Sequence, residues 1–380
     1  MAKKYSRRKS YSKANNRVVV ALFLILVIIA LTIFALDALG YIDFPYEKFF
    51  GGTETPNNEV VVSGDLQIHF IELGNKYTGD CTYIKAGDTD ILIDAGSRSN
   101  SIPTITGYID QYCTDGILEY VIVTHADQDH IAGFAGSNEY GNLFSIYECK
   151  TIIDFALTNK DGKATHEKYE ANRNAEIELG AVHYTAADCI QTGNTVFTLS
   201  EGIELEILDS YYYYNKSSDE NNYSVCCIIN QGSSSFLFTG DLEEEGEEKL
   251  VEMNELPKVK LFKGGHHGSP TSSNECLLSV IQPEIVCVCC CAGSDEYTSN
   301  IENQFPSQAF IDRVSKYTDK VYVTTVMIDN ETSEFDSLNG NIVVSSSPDG
   351  VSVSCSGSDL VLKDSEWFKR WRTCPVYWQE

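Results

Sequence analysis

From Val121 the sequence reads Val-Ile-Val-Thr-His-Ala-Asp-Gln-Asp-His-Ile-Ala-Gly, ending at Gly133. A β-branched run closes at Thr124, and His125, Asp127, Asp129 and His130 follow almost at once. Imidazole and carboxylate are the side chains that hydrolytic first-row metals take as ligands. On a loop beyond a strand end, alternate side chains can converge on one cation and the rest on a second. Two cations ~3.5–4 Å apart can share an oxygen nucleophile and hold a phosphoryl or carbonyl oxygen. A polar turn would account for this short run as well, so distant residues carry the decision. Phe236-Leu-Phe-Thr-Gly-Asp241 is an apolar strand ending in Gly-Asp, and a carboxylate placed there can bridge two cations. Lys260-Leu-Phe-Lys-Gly-Gly-His-His-Gly-Ser269 is a strand running into His266 and His267. Neighbouring side chains point in different directions, so one of the two is expected to ligate. Three strand ends, each delivering His or Asp, are hard to produce by chance.

The elements that must position these groups follow from pattern. Leu66–Leu73, Cys81–Ala86 and Asp90–Asp94 read as strands, the last two joined by a Gly87-Asp88 turn. A helix is expected over Ile102–Cys113 and a strand over Glu119–Thr124. The second half repeats this grammar, with strands at Glu204–Asp209, Ser224–Asn230 and Ser235–Thr239. A Glu-rich helix over Leu242–Met253 follows, then alternating strands and helices from Val259 to Val326 and closing strands at Asn341–Ser345 and Val351–Cys355. Two such passages predict two sheets covered by outer helices. The last stretch, 358–380, holds Trp367, Phe368, Trp371 and Trp378 and reads as a terminal helix packed on the domain.

Charge is unevenly distributed. The formal net charge is -27, which disfavours a protein that coats the phosphate backbone of nucleic acid. Residues 1–17 are nonetheless basic (Lys3, Lys4, Arg7, Arg8, Lys9, Lys13, Arg17) and precede an apolar run from Val18 to Leu36. That run is nearly long enough to cross a ~30 Å hydrocarbon core, and it exceeds the ~7–15 apolar residues of a signal peptide. It predicts one membrane anchor over 18–36. The basic flank would be cytoplasmic, with a linker over 37–64 and the folded domain, 65–357, outside. The chain has 13 Cys in no disulfide-like or CxxC-pair spacing, and Cys287, Cys289, Cys290 and Cys291 fall in a run that reads as a buried strand.

The order of these motifs resembles the metallo-β-lactamase superfamily, and specifically the hydrolase domain of ComEC-type competence proteins and their stand-alone relatives. The shared features run from about Leu66 to Cys355. They are Gly79-Asp80, Leu92-Ile-Asp-Ala-Gly96, His-x-Asp-x-Asp-His at 125–130, Asn222 with Ser224-Val225, Phe-Thr-Gly-Asp241 and His-His-Gly-Ser269. The resemblance implies a four-layer αββα sandwich and two divalent metal ions, Zn or alternatively Mn. His125 and Asp127 would hold the first ion, and Asp129, His130 and His266, in preference to His267, the second, with Asp241 bridging. Asp94 would support the loop from behind by hydrogen bonding to a ligand, and Asp80 would lie near the site. Asp129 would orient the attacking water, while Lys263 and Ser269 would contact an anionic substrate. Two departures stand out. A middle His ligand is not evident (Asp154 sits at a plausible strand end, and the alternatives His166 and His183 read as structural), and Gln304-Phe305-Pro306 stands where relatives carry Gly-His-Pro. The function implied is metal-assisted hydrolysis of a small-molecule or envelope-polymer phosphodiester. An envelope-polymer or choline-phosphate esterase and a catalytically weak binding module are the alternatives.

Overall fold

A computed structural model describes residues 65–347 and 350–379; the expected anchor and linker lie outside these residues. Among the described residues no helix is long and apolar enough to cross a membrane. The strands are β1 (Leu66–Phe70), β2 (Thr82–Ala86), β3 (Thr89–Ile93), β4 (Ile117–Ile122), β5 (Glu148–Asp154), β6 (Val182–Thr185), β7 (Val196–Ser200) and β8 (Ile203–Ile207). Then come β9 (Cys227–Gln231), β10 (Ser234–Phe238), β11 (Leu261–Lys263), β12 (Ile285–Ala292), β13 (Val321–Asp329), β14 (Glu334–Ser337), β15 (Ile342–Ser347) and β16 (Gly350–Cys355). They form two eight-stranded sheets, in the orders β16-β15-β1-β2-β3-β4-β5-β6 and β14-β13-β12-β11-β10-β9-β8-β7. Helices α1 (Ile102–Ile109), α2 (Gln128–Ala135), α3 (Leu143–Ile146), α4 (Ala164–Leu179) and α5 (Ala186–Thr192) accompany the first sheet. Helices α6 (Glu244–Met253), α7 (Glu275–Ile281), α8 (Gln308–Val314) and α9 (Glu366–Trp371) accompany the second.

The period-2 alternation of strands decides which residue goes where. Phe236, Phe238, Leu261, Cys287 and Cys289 join Ile84, Ile91 and Val121 in the core shared with the first sheet. Their neighbours Leu237, Phe262, Val286, Val288 and Cys290 turn the other way, onto Leu277, Phe310 and Phe368 of the outer helices. All 13 cysteines are free thiols, and the β12 cysteines fill the core as small apolar groups. The aromatic tail joins the outer core through Trp367, Phe368 and Trp378, and Arg372 ties it to the backbone carbonyls of Gln304 and Pro306.

Several expected elements are shorter than their sequence pattern suggests. β1 stops at Phe70, and α1 stops at Ile109. The strand expected from Ser224 begins only at Cys227, because Val225 N–H is spent on Thr124 O (2.8 Å) and Ser224 Oγ on the Asp241 backbone. Those crossings pin the end of β4 to the end of β10.

One helix–helix tie bears on the site. Glu247 of α6, fully buried, accepts hydrogen bonds from Ser273 N (2.5 Å), Asn274 N (2.8 Å) and Asn274 Nδ2 (2.9 Å) at the start of α7, just after the histidine loop. Burial pushes its carboxyl up from 4.5 to about 7, against the pull of those donors and of Arg313. A folded-state value above the unfolded one means that the folded form binds the proton more tightly. The associated stability is complete below pH 4.5 and is lost as pH rises through about 7. In urea titrations of the full chain, wild type should therefore lose on the order of 3 kcal/mol relative to Glu247→Gln between pH 4.5 and pH 8. Parallel pH profiles for the two proteins would contradict this assignment.

Candidate metal centre

The site forms where loops from both sheets meet. β3 ends into Asp94, whose φ of 57° turns its carboxylate back beneath the β4 loop. There it accepts from Thr124 N (2.8 Å), Thr124 Oγ1 (2.7 Å) and His130 Nδ1 (2.7 Å). Holding Nδ1 in this way presents His130 Nε2 to the other sheet, 3.0 Å from Asp241 Oδ2. Asp241 follows β10 through Gly240, at φ 55°. A Cβ there would meet Ser224 Oγ and Thr124 Cβ at 2.8 and 2.9 Å, so only glycine lets the two loops close. Gly96 has the same role on the first sheet, where an added Cβ would lie 1.5 Å from Asp129 O.

The histidine loop is left-handed, with φ 45° at His266 and 53° at His267. His267 Nδ1 donates to Cys289 O (2.9 Å), which turns Nε2 toward Asp241 Oδ2 (3.2 Å) and Asp129 Oδ2 (3.5 Å). Asp80, His130, Asp241 and His267 each bring one ligand atom into a group whose members all lie within 4.8 Å of one another. His125 stacks beside His130, its ring centre 4.1 Å away. Asp80 Oδ1, Asp241 Oδ1, His125 Nε2 and His267 Nε2 are buried with no hydrogen-bond partner. Buried polar atoms are rarely left this way, and three of the four belong to Asp80, Asp241 and His267 of the clustered group, whose carboxylates and imidazoles fit a divalent cation.

Electrostatics agree with that reading. Burial works against the charge on Asp241, but His130, His267 and Lys263 hold its carboxyl well below the usual range. Burial and the neighbouring His130 lower His125 to about 4, so it is a neutral imidazole able to ligate.

The sequence-based assignments are redistributed by this geometry. His125, Asp129, His130 and Asp241 are brought together. Asp127 stands at the exposed edge, paired with Lys160, with Oδ2 3.7 Å from His125 Nε2. The preference for His266 over His267 is reversed. His266 is one-fifth exposed at the rim, 3.9 Å from Asp241 and 3.4 Å from Glu243. Asp80 moves inward to become one of the clustered carboxylates. Lys263 does not face a substrate: it is buried beneath the cluster, paired with Asp80 and 3.5 Å from Asp241 Oδ1. Ser269 is likewise buried and bonded to Thr271. Asp154 lies elsewhere, with Arg173, His183 and Tyr169.

The cleft above the cluster, ≈ 380 Å³, is lined by Arg98, Asp127, Asp129, Asn221, His266 and Tyr297 among others. Tyr297 donates from its hydroxyl to Asp129 Oδ2 (2.5 Å), and its ring lies 5.3 Å from that of Phe305, which also approaches both histidines. Arg98 pairs with Glu296 (2.5 Å). Glu220, buried beside the cleft residue Asn221, accepts from Ala126 N (3.1 Å), Thr158 Oγ1 (2.7 Å) and Asn159 N (2.6 Å). Arg98, Tyr297 and Glu220 had no sequence signal, because each stands alone in a polar loop.

No family model matches the sequence. ComE operon protein 3 of Bacillus subtilis (strain 168) is 28% identical over 172 residues, 44% of this chain and 19% of that protein. Recombination protein 2 of Haemophilus influenzae (strain ATCC 51907 / DSM 11121 / KW20 / Rd) is 28% identical over 267 residues, 68% of this chain and 28% of that protein. The chain thus spans less than a third of the curated relatives it matches, and its similarity to ComEC-type proteins is the one its motifs imply. Among solved structures, the metallo-beta-lactamase fold protein YhfI from Bacillus subtilis aligns with 69% of this chain and 96% of its own, at 11% identity and a TM-score of 0.41.

Three substitutions separate the roles assigned above. Metal analysis of the purified full chain should show His267→Ala losing at least half of its bound transition metal and His266→Ala keeping nearly all of it. The reverse pattern would return the ligand role to His266. Lys263→Met leaves Asp80 and Asp241 without their buried cation and should cost about 3–5 kcal/mol in chemical denaturation of the metal-free chain. A cost under about 1 kcal/mol, within the usual range for exposed ion pairs, would show that Lys263 is not the charge balance of the centre.

Proposed function

We propose that the chain is a metal-dependent hydrolase of phosphodiester bonds, anchored in the membrane through residues 18–36 with its folded domain outside the cell. The observation that carries this reading is the buried group Asp80, His130, Asp241 and His267, whose ligand atoms all lie within 4.8 Å of one another. Asp80, His130, Asp241 and His267, with His125, Asp129 and Asp127 around them, would hold two divalent ions, Zn or Mn. Bound there, such ions lower the pKa of a water from 15.7 toward ~7 and draw charge from a phosphoryl oxygen.

The chain's own residues do the rest. Asp94 and Cys289 O fix which nitrogens of His130 and His267 face the centre. Tyr297 keeps Asp129 aligned across the cleft and sets a hydroxyl where a substrate oxygen would enter. Arg98 is the cation on that wall, and the Phe305 ring lies 5.7 and 6.1 Å from the rings of His266 and His267. The acidic groups at the mouth, Asp127 and Glu296, and the net charge of -27 disfavour long nucleic acid and leave a small phosphodiester, or a short stretch of an envelope polymer, as the better match. Similarity to ComE operon protein 3 and Recombination protein 2 supports hydrolase chemistry at a coarser level.

Bis-p-nitrophenyl phosphate tests the reaction class. Turnover by the full chain should stop on chelation and return with Mn²⁺ or Zn²⁺, and Asp241→Asn should reduce it at least 10³-fold. Tyr297→Phe should lower kcat about tenfold with metal content unchanged. Less than one bound metal per chain together with no turnover would instead favour a binding module that keeps the fold. A screen of single-stranded DNA against teichoic-acid-type phosphodiesters then tests the preference for envelope substrates.

A further inference from the structure

A second cleft, ≈ 430 Å³, opens beyond the carboxyl ends of β5 and β6, which run parallel to each other and to β4. That end of a parallel sheet is where α/β folds commonly bind ligands. Its floor is Asp154, fully buried, which accepts from Tyr169 Oη (2.8 Å), Arg173 Nη1 (2.6 Å) and His183 Nε2 (2.8 Å). This network leaves the carboxylate satisfied and holds Arg173 and His183 rigidly against the cleft.

Two features in the same place are not satisfied. His166, on the first turn of α4, is 2% exposed and lines the cleft, yet its Nδ1 has no hydrogen-bond partner; the nearest acid, Glu170, is 3.9 Å away. The 16-residue helix α4 has no side-chain cap at Lys163, although Glu167 in its first turn offsets part of the positive end of its dipole. Lys216 adds an exposed ammonium at the rim. Against these stand Asp161, Glu167 on the same turn as His166, and Glu170, the last drawn to Arg173 Nη2 at 3.7 Å. A buried imidazole nitrogen, an uncapped helix start and a rim lysine are together answered by an anion with several acceptor oxygens.

The cleft is separated from the metal centre by a single wall. Glu220 binds Ala126 N on one side and Asn159 N on the other, and Lys160 pairs with Asp127. Asn221 lines the metal cleft, and Tyr223, two residues later, lines this one.

We propose that this second cleft binds a phosphate group, held by His166, Lys216 and Arg173. The phosphate belongs either to the next repeat of a chain-like phosphodiester cut at the metal centre or to a free phosphate ion. The first source rests on the phosphodiesterase reading above, whereas the second does not.

Calorimetric titration of the full chain with inorganic phosphate decides the site. Saturable binding that weakens at least tenfold in His166→Phe or in Lys216→Met, with metal content unchanged, is the expected result. The lysine variant changes only a surface residue and so guards against misfolding of the histidine variant. Absence of saturable binding overturns the proposal, as does binding that survives both substitutions but is lost in Asp241→Asn. KM distinguishes the sources. A rise for a glycerol-phosphate oligomer with no change for bis-p-nitrophenyl phosphate assigns the cleft to the neighbouring repeat. Unchanged KM for both substrates, alongside weakened phosphate binding, assigns it to the free ion. If neither substrate is turned over, the phosphodiesterase reading fails while the phosphate titration still decides the cleft.

Discussion

Everything at the centre of this molecule follows from one electrostatic difficulty. Asp80, Asp94 and Asp241 are withdrawn from water between two sheets, with Asp129 beside them, and each buried charge carries a desolvation cost of several kcal/mol unless it is matched. Lys263 supplies one positive charge from below, and His130 bridges Asp94 and Asp241. Four carboxylates with one ammonium and a few imidazoles still leave an excess of negative charge. That imbalance would be a defect in a structural core and is a natural basis for cation binding in a site.

The same difficulty explains the backbone around it. The clustered side chains, from the loops before β2 and after β4, β10 and β11, converge only if those loops approach more closely than side chains normally permit. Gly96 against Asp129 and Gly240 against Ser224 make that approach possible. The histidine loop, with two consecutive non-glycine residues at positive φ, is held in an unfavourable conformation by packing and by the α6–α7 tie through Glu247. Rigidity is thereby concentrated where ligand directions must be fixed.

Much of this was legible in the sequence because the strands announce themselves by alternation and the ligands sit at their ends. The run from His125 to His130, Asp241 after Gly240, and the His-His pair were all found that way. The choice between His266 and His267 was not legible, since it depends on a left-handed loop whose handedness residue type does not dictate. Lys263 appeared to be a substrate contact because lysine is rarely buried, and only the three-dimensional position of Asp80 reveals its partner. Tyr297, Arg98 and Glu220 escaped because isolated residues in polar loops have no periodicity to betray them. The early ends of β1 and α1 were likewise set by tertiary contacts rather than by local pattern.

The sheet order carries a consequence for how the chain comes into being. β1 lies between β2 and β15, with Ile68 paired to Val344 across nearly the whole domain. During synthesis the first sheet therefore waits with an open edge until the last strands emerge, and its exposed backbone is available for wrong partners throughout that interval. Maturation is thus gated by the carboxyl-terminal segment, so a ribosome that stalls before β15 releases a chain bearing all of the clustered histidines and carboxylates but lacking the strand that closes their scaffold.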